Sequence, residues 1–182
     1  MPLLRRDSRG MTADLDHLSP ARTLVTKQGL SFLTRPLRHG EARTVMNLFG
    51  RLGEKSRRAR FNGPKPCLSR SELRQLASVD ASRSALVAYL EDDPQPIAIA
   101  RLVRNGDEAE IAFAVADEYQ NRGIGSALTA QLLADARASG IAKIGALVAR
   151  DNSAAIAVLR RVTTVLDASF EGSDLFIEAA VA

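Results

Sequence analysis

The sequence predicts one three-layer α/β domain of the α+β kind, built on a mixed, mostly antiparallel sheet of seven strands. The chain has 182 residues, about one domain's worth, and 46% of them are hydrophobic against 25% charged, which is ordinary globular composition. Apolar runs of strand length follow one another through the middle of the chain, separated by turn signals. Further on, such runs alternate with stretches of helical periodicity, which is typical of strands joined by crossover helices.

The first 28 residues mix Arg, Asp, Ser, Pro and Gly and show no sustained periodicity. We therefore predict a flexible tail over residues 1–28 and a folded domain over residues 29–182. The first strand is expected at residues 30–33. Pro36 ends it and also restricts the backbone of Arg35, the residue before the proline.

Three helices are predicted after this strand. Apolar residues recur at helical spacing between residues 45 and 52, after Gly40 and before Gly53, which predicts the first helix. A second, short helix is expected at residues 56–60, because an Asn-Gly-Pro sequence stops it. The third begins near residue 71 and again has apolar residues at helical spacing.

The middle of the chain predicts an antiparallel meander of strands two to four. Residues 84–90 and 96–103 are apolar runs separated by a Glu-Asp-Asp-Pro turn. An Asn-Gly pair at residues 105–106 is a hairpin signal. Residues 108–116 are nearly continuously apolar from Ile111 onward, as in a strand covered on both faces.

The last third alternates helix and strand before a final hairpin. A long helix is predicted at residues 123–139, a buried strand at 141–149, and a short helix that Asn152 caps. The last two strands are expected at residues 165–170 and 175–180. Because the long helix joins the fourth and fifth strands, these two should be parallel through a right-handed crossover.

Charge is distributed unevenly along the chain. The net charge is +4, yet residues 35–74 contain 11 Lys and Arg against 3 Asp and Glu, a balance of +8. Such a stretch is typical of a site for nucleic acid or phosphate, or simply of a solvated helix face. Phe49 and Phe61 alone are too few for a base-stacking platform, so we do not expect nucleic acid as a partner.

Several other classes are excluded by composition. The single Cys67 excludes an internal disulfide and a multi-cysteine zinc site, and with two histidines in the chain we expect no metal. No apolar run approaches the ~20 residues of a membrane span, so no membrane partner is expected. The charged N-terminus lacks the apolar segment of a signal peptide, which predicts a cytoplasmic protein.

The segment from Ala116 to Ser126 is the most informative part of the sequence. It lies between strand four and the long helix and places Gly123 and Gly125 at the mouth of that helix. Glycine lets the backbone approach a ligand closely, and the N–H groups at a helix start suit a pyrophosphate. The segment matches neither the P-loop nor the dinucleotide fingerprint. By spacing alone, the glycines fit a plain helix start equally well.

Two motifs in this half of the chain resemble those of the GNAT N-acetyltransferase superfamily. Residues 120–125 reproduce its [QR]-x-x-G-x-[GA] motif, after a buried strand and at the start of a helix. Residues 152–155 resemble its second signature, Asn-x-x-Ala. The predicted order of elements also matches, so the resemblance covers residues 30–180.

The resemblance implies a GNAT fold, in which the fourth and fifth strands splay apart, and direct transfer of an acetyl group from acetyl-CoA to a primary amine. Strand four would then bind the pantetheine arm through its backbone, and the amides after it would hold the pyrophosphate, with the charge of Arg122 nearby. Asn152 would face the pantetheine in addition to capping its helix. The implied cofactor-binding residues are Phe113, Ala114, Val115, Asn121, Arg122, Gly123, Ile124, Gly125, Ser126 and Asn152.

Glu110 is the candidate general base. An ammonium group has a pKa near ~10.4 and must lose a proton before it attacks a thioester. Many members of the superfamily place a glutamate at this strand start, where it removes that proton through water. The apolar strand is expected to withdraw the Glu110 carboxylate from solvent. The alternative is that Glu110 is a solvated strand-end residue like Glu108.

The sequence departs from the family pattern in one respect that bears on catalysis. Many GNAT enzymes have a tyrosine seven residues after the asparagine, serving as acid for the leaving thiolate. Leu159 stands there, and Thr163 and Thr164 replace the Gly-Phe pair that follows. A CoA thiol leaves tolerably as thiolate, so we assign no general acid. Cys67 has no neighbouring histidine to activate it, which favours direct transfer over an acetyl-cysteine intermediate.

Residues 60–80 resemble the region before strand two in Pat-type protein lysine acetyltransferases, which also tend to lack the tyrosine. The resemblance implies a protein lysine as the acceptor, with a protein substrate as partner beside acetyl-CoA. Two alternatives stay open, because one fold supports many substrates. One is a small amine such as a polyamine, an amino acid or an aminoglycoside, and the other is a CoA-binding regulator without turnover.

Overall fold

The computed structural model describes residues 20–172 and 174–181. The strands are β1 (Arg22–Val25), β2 (Ser31–Pro36), β3 (Arg83–Leu90), β4 (Asp93–Asn105), β5 (Glu108–Val115), β6 (Lys143–Ala149), β7 (Thr163–Glu171) and β8 (Asp174–Val181). The helices are α1 (Ala42–Gly50), α2 (Glu54–Phe61), α3 (Arg70–Leu76), α4 (Ile124–Ala138) and α5 (Ser153–Val162), with a 3₁₀ turn at Asp117–Tyr119.

The strands form one mixed sheet in the order β1-β2-β3-β4-β5-β6-β8-β7. β5 and β6, which α4 connects, are parallel, and the other neighbours are antiparallel. The predicted fold class and the parallel pair are therefore confirmed. The predicted number of seven strands is one too few.

The additional strand is β1, which lies within the segment predicted as a tail. Arg22–Val25 pairs with β2 from Arg22↔Thr34 to Val25↔Ser31, so this part of residues 1–28 is a sheet edge. The sequence pattern does not predict this strand because, of its four residues, only Leu24 packs against the core cluster. Residues 1–19 of the predicted tail lie outside the described residues.

Helices cover both faces of the sheet and make the three layers. α4 and α5 bury one apolar cluster, which includes Leu128, Leu132 and Leu159. α1 and α3 bury a second cluster on the opposite face, which includes Val45 and Val87. Within the described part of the chain, no helix combines the length and apolarity that crossing a membrane requires.

β5 and β6 are paired only at their first residues. The register runs Glu108↔Lys143, Ala109↔Ile144 and Glu110↔Gly145 and then stops. β5 continues along β4 as far as Val115, and β6 continues along β8. The two strands thus separate after Glu110, and we call the resulting gap in the sheet the wedge.

Candidate functional site

Residues 113–115 form the β5 side of the wedge. Phe113 and Val115 pack against the cluster under α4, whereas Ala114 packs against the cluster under α1 and α3. Side-chain packing on both faces fixes this stretch of backbone. Because β6 does not pair with it, its polar groups along that edge are placed to bond a ligand.

α4 begins beside the mouth of the wedge. Its N-cap is Gly123, with φ 80°, and none of the described side chains caps it. Asn121 also has a left-handed backbone, with φ 59°. The N–H groups of the first helical turn have no partner within the helix and point out of its end, where an anion binds well. Ile124 is buried, so it offers a ligand only its backbone.

The two glycines of the motif stand where the chain is crowded. A Cβ on Gly123 would lie 3.1 Å from Cβ of Thr26, and a Cβ on Gly125 would lie 3.4 Å from Cγ2 of Val115. The Gln28 amide also donates to the carbonyl of Asn121, at 3.5 Å. The turn after β1 therefore supports the start of α4, a role that the sequence analysis missed.

Side chains before Gly123 attach this loop to α2. Asp117 accepts a hydrogen bond from the backbone N–H of Gly53, the N-cap of α2, at 3.1 Å. The Gln120 amide donates to Ser56 Oγ and to the carbonyl of Val115, each at 3.0 Å. We call these contacts the loop clamp. The motif glutamine thus has a structural role, which is to join the loop to α2 and β5.

Arg51 reinforces the loop clamp from the end of α1. Its guanidinium pairs with Asp93 at 2.7 Å and with Glu118, and it lies 5.1 Å from the ring centre of Tyr119. Burial by itself would lower the pKa of Arg51, but the hydrogen bonds to Glu118 and Asp93 outweigh it and raise that pKa. Arg51 therefore stays charged and holds the 3₁₀ turn in place.

Glu110 is the last residue of β5 that pairs with β6, so its side chain stands where the wedge opens. The expectation that the apolar strand withdraws it from solvent is wrong, because the residue is exposed. Its neighbours on the two adjacent strands are Val103, which is itself 39% exposed, and Gly145. The ring of Phe176 fills the place of the side chain that Gly145 lacks, 2.8 Å from where a Cβ would stand.

The second motif takes the expected place at the start of α5. The Asn152 carboxamide accepts a hydrogen bond from the N–H of Ala155 at 3.1 Å, which is the capping role. Leu159 is fully buried in the core, so this position offers no proton. The hydroxyl of Tyr119 donates to Asp93, and that of Tyr89 accepts from Arg35.

Two other residues singled out in the sequence, Arg122 and Cys67, lie on the surface. Arg122 is exposed at the loop, with its guanidinium 5.3 Å from the ring centre of Tyr119. Cys67 is exposed in the α2–α3 connection. Among the described residues, no three side chains of the metal-binding types are grouped to hold an ion.

A CoA thioester fits these features. The wedge offers an extended backbone edge to an amide-containing arm, and the start of α4 offers N–H groups to a pyrophosphate. The tight contacts at Gly123 and Gly125 explain why this loop has no room for larger side chains.

Comparisons with known proteins agree with this geometry. The model of the acetyltransferase (GNAT) family matches residues 54–163. The acetyltransferase Pat of Mycolicibacterium smegmatis is 36% identical over 123 residues, which are 58% of this chain and 37% of that protein. This chain therefore spans little more than a third of the length of that curated relative.

Solved structures of acetyltransferases are also similar to this chain. The crystal structure of the GNAT domain of S. lividans PAT has a TM-score of 0.80 at 29% identity, covering 88% of this chain and 97% of that one. A cAMP-binding acyltransferase from Mycobacterium smegmatis has a TM-score of 0.63 at 28% identity, covering 92% and 48%. Spermidine N-acetyltransferase from Vibrio cholerae, with a TM-score of 0.60 at 20% identity over 82% and 94%, shares the fold. The chain belongs to the GNAT family of acetyltransferases.

Proposed function

We propose that this chain transfers an acetyl group directly from acetyl-CoA to the side-chain amine of a lysine in a protein. The observation that supports it best is the position of Glu110, at the point where the wedge opens. A base there lies beside the end of the arm that the wedge would bind. The resemblance of residues 60–80 to Pat-type protein lysine acetyltransferases supports the same class of acceptor, and the similarity to two proteins named Pat agrees with that resemblance.

Acetyl-CoA is bound mainly by backbone groups. Acetyl-CoA supplies the activated acetyl thioester. The edge of residues 113–115 holds the pantetheine arm extended, and the amides of residues 121–126 bind the pyrophosphate with the help of the helix dipole. Arg122 adds positive charge at the loop, and Asn152 presents its carboxamide nitrogen from the start of α5.

Glu110 acts as the general base. Its exposed carboxylate takes a proton from the incoming ammonium through a water molecule, which leaves a neutral amine to attack. As the new carbon–nitrogen bond forms and the carbon–sulfur bond breaks, the nitrogen releases a second proton to solvent. Because Leu159 is buried and apolar, the CoA sulfur leaves as thiolate and takes its proton from solvent.

The basic helix α2 favours a protein acceptor. α2 contacts both β5 and β6, so it lies across the wedge. Its exposed Lys55 and Arg58 make this wall positive. A polyamine would be repelled by up to ~1 kcal/mol per close exposed pair. A lysine displayed among acidic residues would instead be attracted to the same wall.

The test is consumption of acetyl-CoA with a panel of acceptors, followed by mass spectrometry of the products. The panel holds a lysine-bearing protein with acidic neighbours, spermidine, an aminoglycoside and a free amino acid. We expect acetylated lysine and the highest kcat/KM for the protein. Preference for one of the small amines would contradict the protein-lysine assignment. Binding of acetyl-CoA without turnover on any amine would indicate a regulator.

A further inference from the structure

The ring of Phe176, on β8, lies in a place that core packing does not explain. The residue is half-buried, and among the described residues it belongs to neither of the two apolar clusters of the core. It stands opposite Leu147 of β6, but its ring leans across β6 to Gly145. Its Cζ and Cε2 atoms lie 2.8 and 3.0 Å from where a Cβ on Gly145 would stand.

This place is next to the candidate base. Gly145 pairs with Glu110, and paired residues of neighbouring strands lie about 4.8 Å apart on the same face of the sheet. Ile144 and Ala146 are buried in the cluster under α4, so Gly145 and Glu110 are on the opposite face, which α2 crosses. The ring of Phe176 therefore forms a wall of the approach to Glu110, on the side of β6 and β8.

We infer that Phe176 is an acceptor-binding residue, whose ring packs against the methylene stem of the amine that Glu110 deprotonates. The inference rests on the proposed function, since it takes Glu110 as the base. Burial of methylene groups against an aromatic ring is favourable, and the face of the ring attracts a cation. The ring thus suits an unbranched stem that ends in an ammonium group, which is the form of a lysine side chain. An amine on a shorter stem would leave part of the ring uncovered when its nitrogen reaches Glu110.

The experiment measures how the length of the stem affects acceptor binding in the presence of CoA. One peptide contains lysine, and its matched partner contains diaminobutyrate, which has the same charge on a stem two methylene groups shorter. Calorimetry gives both dissociation constants for the 182-residue chain and for its Phe176→Ala variant. We expect the unchanged chain to bind the lysine peptide about tenfold more tightly, and Phe176→Ala to reduce that ratio to about two. Affinity for CoA should stay the same.

Phe170→Ala is the matched control. Phe170 is 62% exposed on β7 and pairs with Leu175, which packs against the cluster under α4. Its ring is therefore on the other face of the sheet from Glu110. Phe170→Ala should keep the affinity ratio of the unchanged chain.

Gly145→Ala tests the place of the ring without removing the ring. The atoms that the new Cβ would meet are at the far end of a side chain, so the ring has to move while the strand keeps its backbone. Gly145→Ala should therefore lower the affinity ratio as Phe176→Ala does. The double variant should be no worse than either single variant, because both changes remove the same contact. A full ratio in Gly145→Ala would contradict the inference.

Stability separates binding from a purely structural role, because an aromatic ring over a glycine also stabilises a sheet. An unchanged affinity ratio in Phe176→Ala would overturn the inference, and a lower unfolding temperature with that unchanged ratio would assign the ring to the sheet alone. A chain that binds neither peptide would also overturn it. Since binding is measured without turnover, a chain that shows the expected ratios but acetylates no amine contradicts the proposed function and not the role of Phe176.

Discussion

At the scale of single residues, Glu110 and Glu108 form a natural comparison. Both are exposed, and they lie two residues apart on β5, so their side chains project from the same face of the sheet. Glu108 lies 4.0 Å from Lys143, whereas Glu110 stands at the opening of the wedge. Position, and not residue type, therefore distinguishes the candidate base from its neighbour.

We expect Glu110→Gln to lower kcat by a factor of ~10²–10⁴ near neutral pH, the usual contribution of a positioned base. Affinity for acetyl-CoA should stay the same, because the carboxylate is assigned to the amine. Steady-state kinetics and calorimetry measure the two quantities, with Glu108→Gln as the matched control. Turnover within a few-fold of wild type between about pH 6 and 9 would remove Glu110 from the mechanism.

Gly123 and Gly140 allow an equally direct comparison at the two ends of α4. Both have φ near 80°, but only Gly123 is crowded, and nothing lies near a Cβ on Gly140. Alanine costs about 1 kcal/mol of backbone strain at either position. Gly123→Ala should in addition bind acetyl-CoA about tenfold more weakly, or ~1.4 kcal/mol. Equal affinities of the two variants, measured by calorimetry, would argue against the loop as the pyrophosphate site.

At the scale of elements, the loop clamp joins the start of α4 to α2. Asp117 accepts from the N–H of Gly53, and Gln120 contacts Ser56, so a loop proposed for the cofactor and a helix proposed for the acceptor share hydrogen bonds. α2 has no fully buried residue of its own. Its position therefore depends on these contacts at its N-terminus more than on packing.

Asp117→Ala should raise KM for a protein acceptor more than KM for acetyl-CoA, because α2 loses its N-terminal hydrogen bond. Loss of such a cap costs about 1 kcal/mol of stability. Asp80→Ala is a suitable control, since Asp80 accepts hydrogen bonds from Ser82 in a turn outside the clamp. If both variants lose stability and neither changes the two KM values, the clamp has no part in acceptor binding.

At the scale of the whole molecule, the uneven charge predicts how salt acts on substrate choice. Residues 35–74 have a balance of +8, and α2, within this stretch, lies across the wedge. At low ionic strength kcat/KM should be higher for an acidic protein acceptor than for spermidine. The ratio of these two kcat/KM values should fall toward one at about 0.5 M salt. Arg58→Gln should reduce the salt dependence and Arg137→Gln should not. If the ratio of the two kcat/KM values does not change with salt concentration, this charge does not select the acceptor.

Most of the sheet and the start of α4 at the glycine pair follow from sequence patterns. The continuous apolar run of β5 and the glycine pair predict a strand followed by a loop and a helix start, as the structure has it. The exposure of Glu110 could not be predicted, because it depends on which residues of other strands lie beside it. The crossing of α2 over the wedge is likewise a tertiary fact.

β1 could not be predicted from the periodicity of apolar residues. Arg22–Val25 has only Leu24 packed against the core, so its strand conformation comes from hydrogen bonds to β2 and not from an apolar face. Thr26 and Gln28 then touch the motif loop from a segment that composition marks as a tail. Such contacts leave no trace in the pattern of a single sequence.

The wedge has a consequence for amide hydrogen exchange. β4 engages about every second N–H of residues 111–115, and the alternate ones face the gap that β6 leaves. These amides should exchange with solvent deuterium faster than those of residues 108–110, which both neighbouring strands enclose. Added CoA should slow the fast set and leave the others unchanged, as measured amide by amide with NMR. Exchange that is already slow without CoA would contradict this. If it holds, bound CoA pairs with the edge of β5 that β6 leaves free, and the backbone hydrogen bonds along that edge are complete only while CoA is bound.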